Sequence, residues 1–129
     1  MLNTDVAKRD TLIFGAYEPA KYTGGLRLFN NLDVNTLGKL IDEGFADPRE
    51  RQNEAPSIKR IYNFMRQYPE YRAHGYVVEA ERPDCRISVE GVEKQGGYAD
   101  RKELSDFCRL FGHADELNAD AAGMYCWFD

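Results

Sequence analysis

Residues Met124-Tyr125-Cys126-Trp127-Phe128 are aromatic, apolar or cysteine without interruption. The composition of that run predicts a strand. A strand apolar on both sides cannot lie at an open edge without making a sticky surface, so it is expected inside a sheet. Side chains alternate along a strand, which sends Tyr125 and Trp127 to one apolar surface and Met124, Cys126 and Phe128 to another. The acid-rich His113 to Gly123 before it reads as a loop.

A sheet needs more strands, and residues 71–92 supply the clearest pair. Tyr76, Val78 and Ala80 share one face of the first arm. Cys85, Ile87 and Val89 share one face of the second, with Arg86, Ser88 and Glu90 opposite. Arg82-Pro83-Asp84 makes the turn, since proline fixes one torsion and aspartate bonds its own backbone. Gly91 to Gly97 is expected to leave the sheet. Thr11 to Tyr17 reads as a further short strand, stopped by Glu18-Pro19.

Three helices are expected. Asp33 caps the first, which runs to about Glu43 with Val34, Leu37, Leu40 and Ile41 on one face and Gly44 at its end. The second spans 57–67, where Ile58, Ile61, Tyr62, Met65 and Tyr68 recur at spacings of three and four. The third covers about 100–111, with Leu104, Phe107, Cys108 and Phe111 as its stripe. The order strand, helix, helix, hairpin, helix, strand predicts an α+β fold, a small, mainly antiparallel sheet with three helices on one face. Residues 1–25 form an N-terminal arm or edge strand, and 26–129 a single domain.

At 129 residues with 43% hydrophobic content the chain has material for a real core, and disorder is the wrong default. No stretch approaches the roughly 20 apolar residues needed to span a membrane, and the N-terminus lacks the pattern of a signal peptide. Three cysteines, an odd number with no close pair, argue for reduced thiols. A cytoplasmic location is therefore expected.

Seventeen basic against twenty-two acidic residues give a net charge of -5, which repels phosphate backbones and anionic lipid on average. The exception is helix 57–67, where Lys59, Arg60 and Arg66, with Arg72 beyond it, form a possible anion-binding face. Nucleic acid is accordingly a disfavoured partner, and a membrane is not expected.

The chemistry-bearing residues do not assemble into a motif. Cys85, Cys108, Cys126, His74 and His113 include soft ligands, but no close pair brings two of them together, so no metal is expected. Cys108 and His113 are near in sequence, yet the first falls on a predicted buried stripe and the second beyond the helix end. No glycine-rich phosphate loop is present, and no cofactor is implied. No catalytic residue is assigned, and an enzyme is the less favoured reading.

The residues Gly44-Phe45-Ala46-Asp47-Pro48 through Ser57, and His74-Gly75-Tyr76-Val77-Val78 through Ile87-Ser88-Val89-Glu90-Gly91, resemble small uncharacterised proteins of gut-associated bacteria, some carried on mobile elements. The resemblance covers about residues 26–129 and implies no activity. The expectation is a noncatalytic protein-interaction or regulatory domain whose partner meets Arg49, Arg51 and Asn53 in the polar connection between the first two helices. The alternatives are a small enzyme or ligand-binding domain with a dispersed site drawn from His74, Tyr76, Cys108 and His113, and weak nucleic-acid binding through helix 57–67.

Overall fold

Short polar side chains set where the helices start. In the computed structural model, which describes residues 2–97 and 99–129, Asp5, Asp33, Ser57 and Asp100 precede α1 (Val6–Phe14), α2 (Val34–Asp42), α3 (Ile58–Gln67) and α4 (Arg101–Phe111). Each cap's side-chain oxygen accepts from a first-turn amide, that of Lys8, Thr36, Arg60 or Glu103. Each such bond is worth about 1 kcal/mol.

Five strands are described: β1 (Leu26–Leu32), β2 (Arg72–Val78), β3 (Ile87–Gln95), β4 (Glu116–Asp120) and β5 (Gly123–Trp127). They form one antiparallel sheet in the order β1-β2-β3-β5-β4. The fold is α+β, as the sequence predicts. No helix among the described residues is long and apolar enough to cross a membrane.

One face of the sheet is the core. Phe29, Ala73, Val77, Val89, Met124 and Cys126 join a single buried cluster with Leu37 and Leu40 of α2, Ile61 and Met65 of α3, and Phe107 and Phe111 of α4. The other face carries no helix of this trio. There Leu28 stands opposite Tyr76 and Tyr76 opposite Ser88, while Tyr125 stands opposite Glu93. Leu28 is 73% exposed.

Several elements differ from expectation. Residues 11–17 are not a strand: Thr11 to Phe14 close α1, so the described residues hold four α-helices rather than three. The inward stripe of α1 is Val6, Arg9 and Asp10, all buried, with Ile13 packed against the core. Two charged residues interrupt the apolar periodicity by which a helix is recognised. They are satisfied by each other and by the sheet: Arg9 Nε donates to Asp10 Oδ1 at 2.9 Å, Nη1 to the carbonyl of Val78 at 2.9 Å and Nη2 to the hydroxyl of Tyr22 at 2.8 Å. The Tyr22 hydroxyl donates in turn to Asp10.

The loop expected at 113–123 contains β4, every residue of which is exposed. Its backbone ladder with β5 holds it there, and no hydrophobic alternation marks it. Its acids suit an edge that must not pair with another chain. With β4 outside it, β5 lies within the sheet as expected. Nor does the chain leave the sheet at Gly91, since β3 continues to Gln95.

The stripe of α4 is turned from its expected position. Leu104 is 40% exposed and Cys108 is exposed, whereas Glu103 is buried with Phe107 and Phe111. Glu103 Oε2 accepts from Lys94 Nζ at 2.7 Å and from the hydroxyl of Tyr71 at 2.9 Å, so a charged position faces the sheet and the apolar Leu104 does not. In α3, Phe64 is buried alongside Ile58, Ile61 and Met65, and the expected Tyr62 and Tyr68 are only half-buried.

Candidate ligand-binding groove

On the face of the sheet that carries His74 and Tyr125, β3 has an extra residue and a missing side chain. Gly75 lies opposite Val89 but His74 lies opposite Gly91, which leaves Glu90 as a bulge between them. A Cβ on Gly91 would fall 2.0 Å from the carbonyl oxygen of Cys126 and 2.8 Å from His74 Nε2. Through the space left by that missing atom, His74 reaches across β3 to β5. Its Nε2 donates to the Cys126 carbonyl at 2.9 Å, and its ring stacks on Tyr125 at 5.4 Å with an interplanar angle of 7°.

The carbonyl can only accept, so the neutral ring carries its proton on Nε2. Burial lowers the pKa of His74, which keeps the ring uncharged at neutral pH.

These residues border a groove of about 470 Å³. At one end it meets Phe14 of α1 and Arg27 and Leu28 of the edge strand β1. At the other it is lined by Glu90, Tyr125 and Trp127, with His74 between. Such a volume lies within the roughly 300 to 1,000 Å³ of small-molecule sites.

The two ends differ in charge. The Arg27 guanidinium lies 3.6 Å over the Phe14 ring and 3.8 Å from a Glu18 carboxylate oxygen. Its Nη1 is buried with no hydrogen-bond partner among the described residues. At the far end, burial raises the Glu90 pKa above the ordinary carboxylate value, the nearby Asp129 charge adds to the rise, and the Trp127 indole N–H donating to it opposes both. The Tyr125 phenol is raised by burial and by the acids around it, Glu116, Glu93 and Glu90.

Of the dispersed candidates, His74 borders the groove and Tyr76 stands beside it on the same strand. Tyr76 is engaged elsewhere: its hydroxyl donates to Gln52 Oε1 at 3.2 Å and accepts from Arg86 Nη2 at 2.8 Å, while Ser88 Oγ also donates to Gln52 Oε1 at 2.9 Å. Cys108 and His113 are not brought to them. Cys108 is exposed on α4 in the helix layer, correcting its expected burial, and His113 is exposed beyond that helix.

Arg49 is exposed and turned to Asp47, and Arg51 is exposed. Asn53 has a positive φ of 51°, and its side-chain amide donates to the carbonyl of Asp129, tying this connection to the residue after β5's last neighbour Phe128. Lys59, Arg60 and Arg66 lie exposed on α3. Arg72 is apart from them on β2, its Nη1 donating to the carbonyls of Pro69 at 3.0 Å and Tyr71 at 3.2 Å.

Glu90, Trp127, Tyr125, Arg27 and Phe14 are the groove residues that sequence reasoning did not single out for function. The alternation in β5 separates Tyr125 and Trp127 from Met124, Cys126 and Phe128, and this was the available signal. What it could not reveal is that only the second set is covered: Met124, Cys126 and Phe128 are buried and the two aromatic residues are half-exposed.

Cys85, Cys108 and Cys126 are free thiols, and burial pushes the Cys126 thiol up to about 12. Among the described residues no group of three or more His, Cys, Asp or Glu side chains could hold a metal ion. No protein-family model matches the chain, and neither a curated protein nor a solved structure matches it.

Proposed function

We propose that the chain is a noncatalytic recognition domain that takes a small ligand on the open face of its sheet. The observation that carries this reading is the groove itself, where ring surface, a half-buried carboxylate and a neutral histidine meet along the sheet, with Phe14 of α1 at one end. Apolar concavities with a few placed polar groups are the usual form of such sites. A noncatalytic role is supported by how the reactive groups are held. The Cys126 thiol is far from ionising at neutral pH, and His74 commits Nε2 to a backbone carbonyl.

The protein-interaction reading is supported by Leu28, 73% exposed on the edge strand beside the groove. Arg49 and Arg51 extend that reading to a second surface. Nucleic-acid binding through α3 has less support, because the hydrogen bonds of Arg72 turn its guanidinium to local carbonyls. Three reduced thiols and the absence of a spanning helix among the described residues are compatible with the proposed cytoplasmic setting, and the bacterial, mobile-element context rests on the resemblance alone.

The test is nuclear magnetic resonance of isotope-labelled protein mixed with bacterial cell extract, divided by ultrafiltration into small-molecule and macromolecular fractions. The small-molecule fraction is expected to shift resonances of His74, Tyr125 and Trp127, and Tyr125→Ala is expected to abolish those shifts. Perturbation by the macromolecular fraction alone would move the assignment to a protein partner.

A further inference from the structure

The two ends of the groove pose different problems to a ligand. At the β1 end a cation is already in place, because Arg27 covers the Phe14 ring and faces Glu18. At the β5 end there are two aromatic side chains and a carboxylate with no resident cation. Among the described residues no Lys, Arg or His nitrogen lies within 4 Å of a carboxylate oxygen of Glu90, Glu93 or Glu116. Residues 113–129, which supply β4 and β5, contain Asp115, Glu116, Asp120 and Asp129 and no Lys or Arg. His74 adds no charge, since its ring is held neutral against Cys126 and Tyr125.

Resting on the ligand-binding reading above, we infer that the β5 end of the groove binds a methylated ammonium group. It would lie against Tyr125 and Trp127 with Glu90 as its counter-ion. Aromatic rings attract a cation through the negative face of their quadrupole, and a methylated ammonium gives up its weak hydration easily. An anion would meet the charges of Glu90 and Asp129, and a neutral apolar ligand would leave the Glu90 carboxylate half-buried without a counter-ion. A phosphate or nucleic acid is repelled by the same acids.

Trp127 is the sole tryptophan, so its fluorescence reports on this end of the groove alone. The full chain is titrated at constant ionic strength with choline and with 3,3-dimethylbutanol, the uncharged isostere of choline. Choline is expected to change the emission saturably, and the isostere to bind at least about tenfold more weakly. Glu90→Gln, which keeps an acceptor for the indole N–H, is expected to weaken choline binding about tenfold with the circular dichroism spectrum unchanged. Tyr125→Leu is a second variant with the same expectation. A peptide bearing one trimethyllysine, run beside its unmethylated form, distinguishes a protein-borne ammonium from a free one; tighter binding of either source supports the inference.

Equal binding of choline and the isostere would overturn it, as would an unchanged affinity in folded Glu90→Gln or no saturable response to any methylated ammonium. If extract small molecules shift the groove resonances while all these probes fail, the ligand-binding reading stands and the ammonium assignment alone is lost.

Discussion

His74 on β2 and Tyr125 on β5 stack 5.4 Å apart although β3 runs between their strands. Gly91 makes this possible, being the β3 residue opposite His74 and having no side chain to intervene. Gly91→Ala places a carbon 2.0 Å from a backbone oxygen that the sheet cannot withdraw without parting β3 from β5. Overpacking of this kind typically costs about 1 to 3 kcal/mol, and the upper end is expected here because backbone must move. Chemical denaturation would measure it. A variant as stable as the parent would show that the two strands are further apart than described.

Arg9 and Asp10 form a buried pair, 2% and 0% exposed. Removing one partner of such a pair leaves an uncompensated charge in the interior and costs about 3 to 5 kcal/mol, whereas replacing both by apolar residues is often close to neutral. Asp10→Ala is therefore expected to lower the unfolding free energy by about that amount. Arg9→Met with Asp10→Leu should recover much of it, the shortfall coming chiefly from the hydroxyl of Tyr22, which loses both its partners. A double-mutant cycle from urea unfolding gives the coupling. Additive effects would mean the pair does not act as one unit.

The same pair explains how far the sequence could be read. The apolar periods of α2 and α3, the cap Asp33 and the β2–β3 hairpin were legible, because each obeys a local rule written in hydrophobic spacing or turn chemistry. The first helix was not, since its buried stripe contains Arg9 and Asp10, whose partners come from residues 22 and 78. The face of α4 was displaced for a like reason, as Glu103 is inward only because Lys94 and Tyr71 receive it. The groove was the least legible part. Its residues come from α1, β1, β2, β3 and β5, and the reach of His74 to Tyr125 depends on a glycine whose role appears only once the strands are in register.

Glu90 should make the protein less stable at neutral pH than it would be without the charge. Its pKa is raised in the folded state, mainly by burial and further by Asp129, against the indole N–H of Trp127. The folded protein thus binds more protons than the unfolded chain in the window from the ordinary carboxylate value up to the raised one. Stability falls as pH rises through that window, and stays reduced above it. Glu90→Gln is expected to raise the melting temperature at pH 7.5, with the gain vanishing at a pH below both values. A gain that is the same at all pH values would assign the effect to packing instead of charge.

The C-terminal strand carries two roles on its two sides, and they can be separated. Met124, Cys126 and Phe128 are 3%, 0% and 1% exposed within the core cluster, so Phe128→Ala is expected to cost about 3 to 5 kcal/mol. Deleting residues 124–129 should go further, because it also strips β4 of the ladder that holds it and β3 of its partner beyond Glu93. Cooperative thermal unfolding is then expected to disappear and the protein to aggregate. Trp127 stands on the open side, half-exposed, so its large ring does not hold the fold as a buried tryptophan would. Trp127→Phe is expected to change the unfolding free energy by less than about 1 kcal/mol, which calorimetry can check. If Trp127→Phe proved as damaging as Phe128→Ala, the sheet face that carries Trp127 would have to be covered, and there would be no groove there for a ligand.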